Sequence, residues 1–215
     1  MTYIIHHWCI IYVTIMAKDL DKSLLYKALK LLDARMGQKG IGPYSIVVCG
    51  GSGLIAMDLV ARATKDVDVV ALMDADELLG DPDPLPDDLL GSAREIAPVL
   101  GLMDDWLNNG PSRGEGGLYR AGLPDGFSSR LKKEAFGANL TVYWVSRRDQ
   151  IHFKLYAAAD RGGYHVSDLK ELDPSDEEME QAARWAMSHD VSEGFRQILV
   201  SMLNQLGYEK VAERI

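Results

Sequence analysis

The sequence predicts an α/β fold: a mixed sheet flanked by helices, with further helices packed at the C-terminal end. Three observations carry this. Tyr44 to Cys49 is a continuous apolar run of strand length, as expected of a buried central strand. Asp66 to Ala71 alternates strictly before becoming apolar, as a strand entering a sheet from solvent does. Around these runs, apolar residues recur at helical spacing.

Taken in order, Leu20, Leu24, Ala28, Leu31 and Leu32 mark a first helix that ends near Gly37, with Asp19 or Asp21 as its cap. Gly40 to Pro43 break the chain before the first strand. Gly50-Gly51-Ser52-Gly53 then form a turn into a helix from Leu54 to Arg62. In the strand that follows, alternation places Asp66 and Asp68 on one face. Residues 74 to 88 are acidic and proline-rich and read as a surface loop, without the glycine and terminal glutamate of an EF-hand. A helix is expected near Ser92 to Leu107. Residues 109 to 130 are glycine-rich, with little regular structure beyond a short hairpin, and a loop of that length often belongs to a binding site. Asn139 to Ser146 is a further strand and Arg148 to Asp160 a helix. Two last helices span Ser175 to His189 and Val191 to Tyr208. Val191, Phe195, Ile198, Leu199, Met202, Leu203 and Leu206 form an apolar stripe on the second, read as core packing, with a partner or dimer surface as the alternative.

A chain of 215 residues holds a core domain, placed at residues 1 to 172, and a helical segment at 173 to 215 packed on it. With 47% hydrophobic and 26% charged residues, the composition is that of an ordinary globular protein. The net charge of -9 disfavours a broad basic face for nucleic acid. One local basic run exists, through Arg130, Lys132, Lys133, Arg147 and Arg148, and its default reading is a solvated edge. Cys9 and Cys49 have no metal or disulfide spacing, which fits a reducing cytoplasm. The histidines His6, His7, His152, His165 and His189 form no ligand motif. Met1 to Ile15 is too short to span a bilayer, which needs about 20 apolar residues. Either it adds a strand or translation starts at Met16.

Gly50, Gly51 and Ser52, between a strand and a helix, expose backbone amides suited to a phosphate; tight passage from strand to helix is the plainer explanation of such a turn. Asp66 and Asp68, side by side on one face, repel each other unless a cation lies between them. They therefore point to Mg²⁺ or Mn²⁺ with a phosphorylated ligand, against the alternative of two solvated aspartates at a sheet edge.

The ordered set of Gly-Gly-Ser, one helix and Asp-Val-Asp resembles the nucleotidyltransferase superfamily that includes polymerase β and kanamycin nucleotidyltransferase. The run VVCGGSGLIAMDLVARATKDVDVVA is still more similar to the AbiEii/AbiGii toxin-type group and related bacterial nucleotidyltransferase-like proteins. The Arg-x-Thr-x-Asp-x-Asp pattern of that group falls on Arg62, Thr64, Asp66 and Asp68. A second block, Arg148-Asp149, Lys154, Arg161 and Asp168-Leu169, matches the lysine, arginine and Asp-Leu of the same group. The resemblance implies that Gly50, Gly51, Ser52, Arg62, Thr64, Lys154 and Arg161 bind a nucleoside triphosphate. It also implies that Asp66 and Asp68 hold the metal and that Asp168 completes the site.

One departure stands out: polymerase-like members carry a third carboxylate on a later strand, and Asn139 to Ser146 contains no acid. Either Asp168 serves as base or catalysis has been lost. The expected function is metal-dependent transfer of a nucleoside monophosphate to an acceptor hydroxyl, on an RNA 3′ end such as that of tRNA, a protein or a small molecule. A toxin role with an antitoxin partner accompanies the resemblance. The alternatives are a catalytically inactive binding or partner module, and an α/β protein that binds a different phosphorylated ligand.

Overall fold

A computed structural model describes residues 17–215. The expectations for Met1 to Ile15, the start at Met16, Cys9, His6 and His7 lie outside the described residues. Helix α1 (Lys22–Lys39) is capped by Asp21, whose carboxylate accepts from the Leu24 amide at 2.7 Å, and it closes on Gly40 in the left-handed conformation. Strand β1 (Tyr44–Cys49) follows and runs directly into α2 (Gly50–Ala56). This helix begins earlier and ends sooner than the expected Leu54 to Arg62. The glycines are themselves the first turn of α2, and the helix stops at Ala56 because Asp58 turns into a left-handed conformation, so Leu59 to Arg62 are not helical.

Strand β2 (Val67–Met73) is followed by the short β3 (Leu79–Gly80), by α3 (Asp87–Leu100) and by β4 (Leu107–Asn108). Helix α3 lies closer to the N-terminus than expected. Gly101 ends it in a left-handed turn, which frees Trp106 to enter the core, where its indole N–H donates to the Ala93 carbonyl at 3.0 Å. The expected hairpin in residues 109 to 130 is replaced by single helical turns, of which α4 (Leu118–Ala121) is one. Strand β5 (Lys132–Ala135) comes next, an edge strand whose lysines had read only as a basic run. It precedes β6 (Leu140–Trp144), α5 (Arg147–Arg161), α6 (Tyr164–Leu172), α7 (Asp176–His189), α8 (Glu193–Leu206) and α9 (Glu209–Ala212).

The sheet is mixed, in the order β3-β2-β1-β6-β5, with β4 joining β2 alongside β3. β1 is antiparallel to β2 and parallel to β6. Alternation along β1 sends Ile46 and Val48 to one face, packed with α1 and α3, and Val47 and Cys49 to the other, packed with Phe153 of α5. The C-terminal helices share a third apolar cluster with Leu54 of α2 and with Ile151, Leu155 and Ala158 of α5. On α8 only Leu199 and Leu203 are fully buried; Val191 precedes the helix, and it and Ile198 are exposed, so the stripe is only partly core. No helix among the described residues is long and apolar enough to cross a membrane.

Candidate functional site

A cleft of about 850 Å³ opens where β1 passes into α2. The fold brings Gly50, Gly51, Thr64, Asp66, Asp68, Lys154 and Arg161 to its wall. Asp68 is the second residue of β2 and pairs in register with Cys49, the last residue of β1, so the carboxylate meets the glycine turn. The fit there is close. A Cβ on Gly50 would stand 2.5 Å from an Asp68 carboxylate oxygen, and the residue has φ 67°, so a side chain is excluded twice over. A Cβ on Gly51 would stand 2.6 Å from the Thr64 hydroxyl and 3.0 Å from the Arg62 guanidinium.

Not every expected phosphate contact faces the cleft. Ser52 is fully buried, and its hydroxyl donates back to the Cys49 carbonyl at 3.3 Å. The Gly50 amide donates to the Gln150 side-chain carbonyl at 3.2 Å. Arg62 and Asp168 sit behind the cleft wall, where they form its foundation. The Arg62 guanidinium grips both Asp168 oxygens, at 2.7 and 2.8 Å, and Lys154 Nζ lies 2.7 Å from one of them. Asp168 is 1% exposed and Lys154 3%. Burial alone would raise the Asp168 carboxyl, but the hydrogen bonds from Arg62 and Lys154 outweigh it and hold the pKa below the usual range. Arg161 at the end of α5 is exposed, and among the described residues its one ion pair is with Asp160 at 3.5 Å.

Asp68 behaves in the opposite way. Burial and then the neighbouring charge of Asp66 push its pKa up to about 7, against the lowering influence of Lys154 and Arg161. Asp66 is raised by burial as well, with hydrogen bonds from Asn108 and Thr64 working the other way. The positive charges of Lys154 and Arg161 do not offset the burial and mutual repulsion of the two carboxylates. Among the described residues no group of three or more His, Cys, Asp or Glu is placed to hold a metal. The donor set is thus two oxygen ligands, which suits Mg²⁺ or Mn²⁺ arriving with phosphate and water ligands and does not suit zinc.

Three cleft residues escaped the sequence reading. Asn108 pairs in register with Asp68 across β4, and its side-chain carbonyl accepts from the Gly110 amide at 2.7 Å. It occupies the strand position beside the acidic pair, on the side away from β6, inside a stretch that read as irregular. Tyr164 and His165 open α6, which followed two glycines and was not anticipated. The basic run does not form a continuous face. Arg130 is paired with buried Asp149, Lys133 with Glu77 and Arg147 with Glu178.

A family model described as a nucleotidyltransferase of unknown function (DUF6036) matches residues 27–173, from α1 through the end of α6. No curated protein and no solved structure matches the chain.

The two acidic centres impose opposite pH dependences. Asp168, with its lowered pKa, contributes stability that is present above the ordinary carboxylate range and lost as pH falls through its native value. Asp68, with its raised pKa, contributes stability only while protonated, so that part is lost as pH rises from about 4, where the unfolded chain ionises, to about 7. Asp68→Asn is therefore expected to exceed wild type in stability at about pH 8, on the order of 2 kcal/mol, with the gap closing toward about pH 4. Urea midpoints across that range measure it, and a variant weaker than wild type at the alkaline end contradicts the buried-charge account. Asp168→Ala, by contrast, strands the buried Lys154 and removes both partners of the half-buried Arg62 guanidinium, and is expected to cost roughly 3–5 kcal/mol in the same assay.

Proposed function

Because the chain belongs to the family described as nucleotidyltransferases of unknown function, we propose that it transfers a nucleoside monophosphate from a nucleoside triphosphate to an acceptor hydroxyl at this cleft. The observation that carries the reading is the convergence of Asp66, Asp68 and the glycine turn, with Asp68 raised to about 7 by burial and by the neighbouring Asp66 charge. Mg²⁺ or Mn²⁺ bound by Asp66 and Asp68 would polarise the phosphate oxygens and offset developing charge.

The chain's own residues supply the rest. Arg161, exposed on the cleft wall, is free to bind phosphate oxygens. Lys154 reaches the wall from a buried position and lends positive potential while fixed by Asp168. Gly51 keeps the wall low enough for a phosphate to approach, and Ser52 acts by shaping the turn rather than by contact. Asp168, with three N–H donors on its oxygens and a lowered pKa, is a poor proton acceptor, so its role is to position Lys154 and Arg62.

RNA, protein and small-molecule hydroxyls all satisfy the acceptor chemistry. Arg130, Lys133 and Arg147 are paired with carboxylates, while Lys132 and Arg148 of the same run are exposed without an ion pair among the described residues, so the run does not choose between these acceptors. The toxin role rests on the Arg62, Thr64, Asp66 and Asp68 pattern alone. A second reading, a nucleotide-binding module without turnover, is favoured by neutral Asn108 at the position beside the acidic pair.

Incubation with each labelled nucleoside triphosphate, Mg²⁺ or Mn²⁺ and cell-derived RNA, protein and metabolite pools tests the proposal. Label transfer is expected with wild type and should fall at least about 100-fold in Asp68→Ala, the scale on which a charge-stabilising group acts. Transfer that survives this substitution refutes the assignment. A rise in melting temperature with metal and nucleotide, without transfer to any pool, selects the second reading.

A further inference from the structure

The lining of the cleft extends past the acidic pair and the glycine turn. Beyond the aspartates the cleft is lined from α5, α6 and the start of α8, where Tyr156, Tyr164, His165, Phe195 and Ile198 add aromatic and apolar surface beside the polar Asp160, Asp190 and Ser192. Tyr164 is 59% exposed, an unusual state for a large aromatic side chain in the wall of a cleft. The ring is nevertheless held firmly. The Arg62 guanidinium lies 5.3 Å and Lys154 Nζ 5.5 Å from its centroid, and the His165 ring sits 4.1 Å away. Both cations are fixed by Asp168, so the tyrosine is anchored to the same buried group that supports the phosphate side. His165 is itself buried, and its Nδ1 has no hydrogen-bond partner among the described residues.

We propose that this half of the cleft is a nucleobase site, in which the purine ring of the nucleoside triphosphate stacks on Tyr164 and lies against Phe195 and Ile198 of α8. This rests on the nucleotidyl-transfer reading and extends it to the base. The wall offers a rigid aromatic platform and apolar contacts, with the unpartnered His165 Nδ1 among its lining groups, so stacking area supplies the larger part of the selection. A purine therefore gains more than a pyrimidine. It also assigns a purpose to the exposed Ile198, which leaves the apolar core to face the cleft.

Calorimetric titration of the full chain in Mg²⁺ with ATP, GTP, CTP, UTP and inorganic tripolyphosphate tests this. ATP and GTP are expected to bind more tightly than CTP and UTP, and all four more tightly than tripolyphosphate. Tyr164→Ala should weaken ATP binding about tenfold or more while leaving tripolyphosphate unchanged, and Tyr164→Phe should restore it. An equal loss for both ligands, or no loss for either, overturns the nucleobase site. Failure of the parent reading has a different signature: tripolyphosphate binding in Mg²⁺ that Asp68→Ala does not weaken.

Discussion

A single buried carboxylate organises this molecule. Asp168 has almost no contact with solvent, and its charge is tolerable only because Arg62 and Lys154 close on it from two other segments. Each of the three is expensive to bury alone, and together they form a compact unit that fixes the loop before β2, the middle of α5 and the first turns of α6 relative to one another. The cleft wall inherits its rigidity from that unit. Tyr164 stands on the same two cations, and Gly51 packs against Thr64 and Arg62.

Asp66 and Asp68 are the counterpart of this arrangement. Where Asp168 is oversupplied with donors, the acidic pair is undersupplied, and burial raises both. A fold that keeps two like charges together in a recess gives up stability there, which is the expected mark of a site prepared for a ligand of opposite charge. The strain is local because apolar layers lie on both faces of the sheet behind it.

The frame of this fold is written plainly in the sequence, and the reasons differ by element. Strand β1 has the expected limits, Tyr44 and Cys49, because a strand buried on both faces is apolar throughout. Helix α7 starts where Ser175 and Glu178 form a reciprocal cap. Elements that exist only through their partners were illegible. β4 is two residues long and is defined by its pairing with β2, so Asn108 gave no signal. The glycines opening α2 have the weakest helix propensity short of proline, and only tertiary packing makes them helical. For the same reason the inward turn of Ser52 was hidden: its direction depends on where that first helical turn begins. Asp66, Asp68, Lys154 and Arg161 reach one cleft, but sequence spacing could not show that Asp168 and Arg62 lie behind it rather than in it.

Arg62 and Asp168 are 106 residues apart along the chain. Closing a loop of that length costs chain entropy that contacts within a helix do not, and the parallel pairing of Tyr44 on β1 with Leu140 on β6 carries a similar cost. On the ribosome, the strands that carry the glycine turn and both metal-binding candidates emerge well before α6 does. Until α6 has emerged, Arg62 and Lys154 have no shared anion and Tyr164 has no footing, so the wall of the cleft is completed by the last-made of its three anchoring segments.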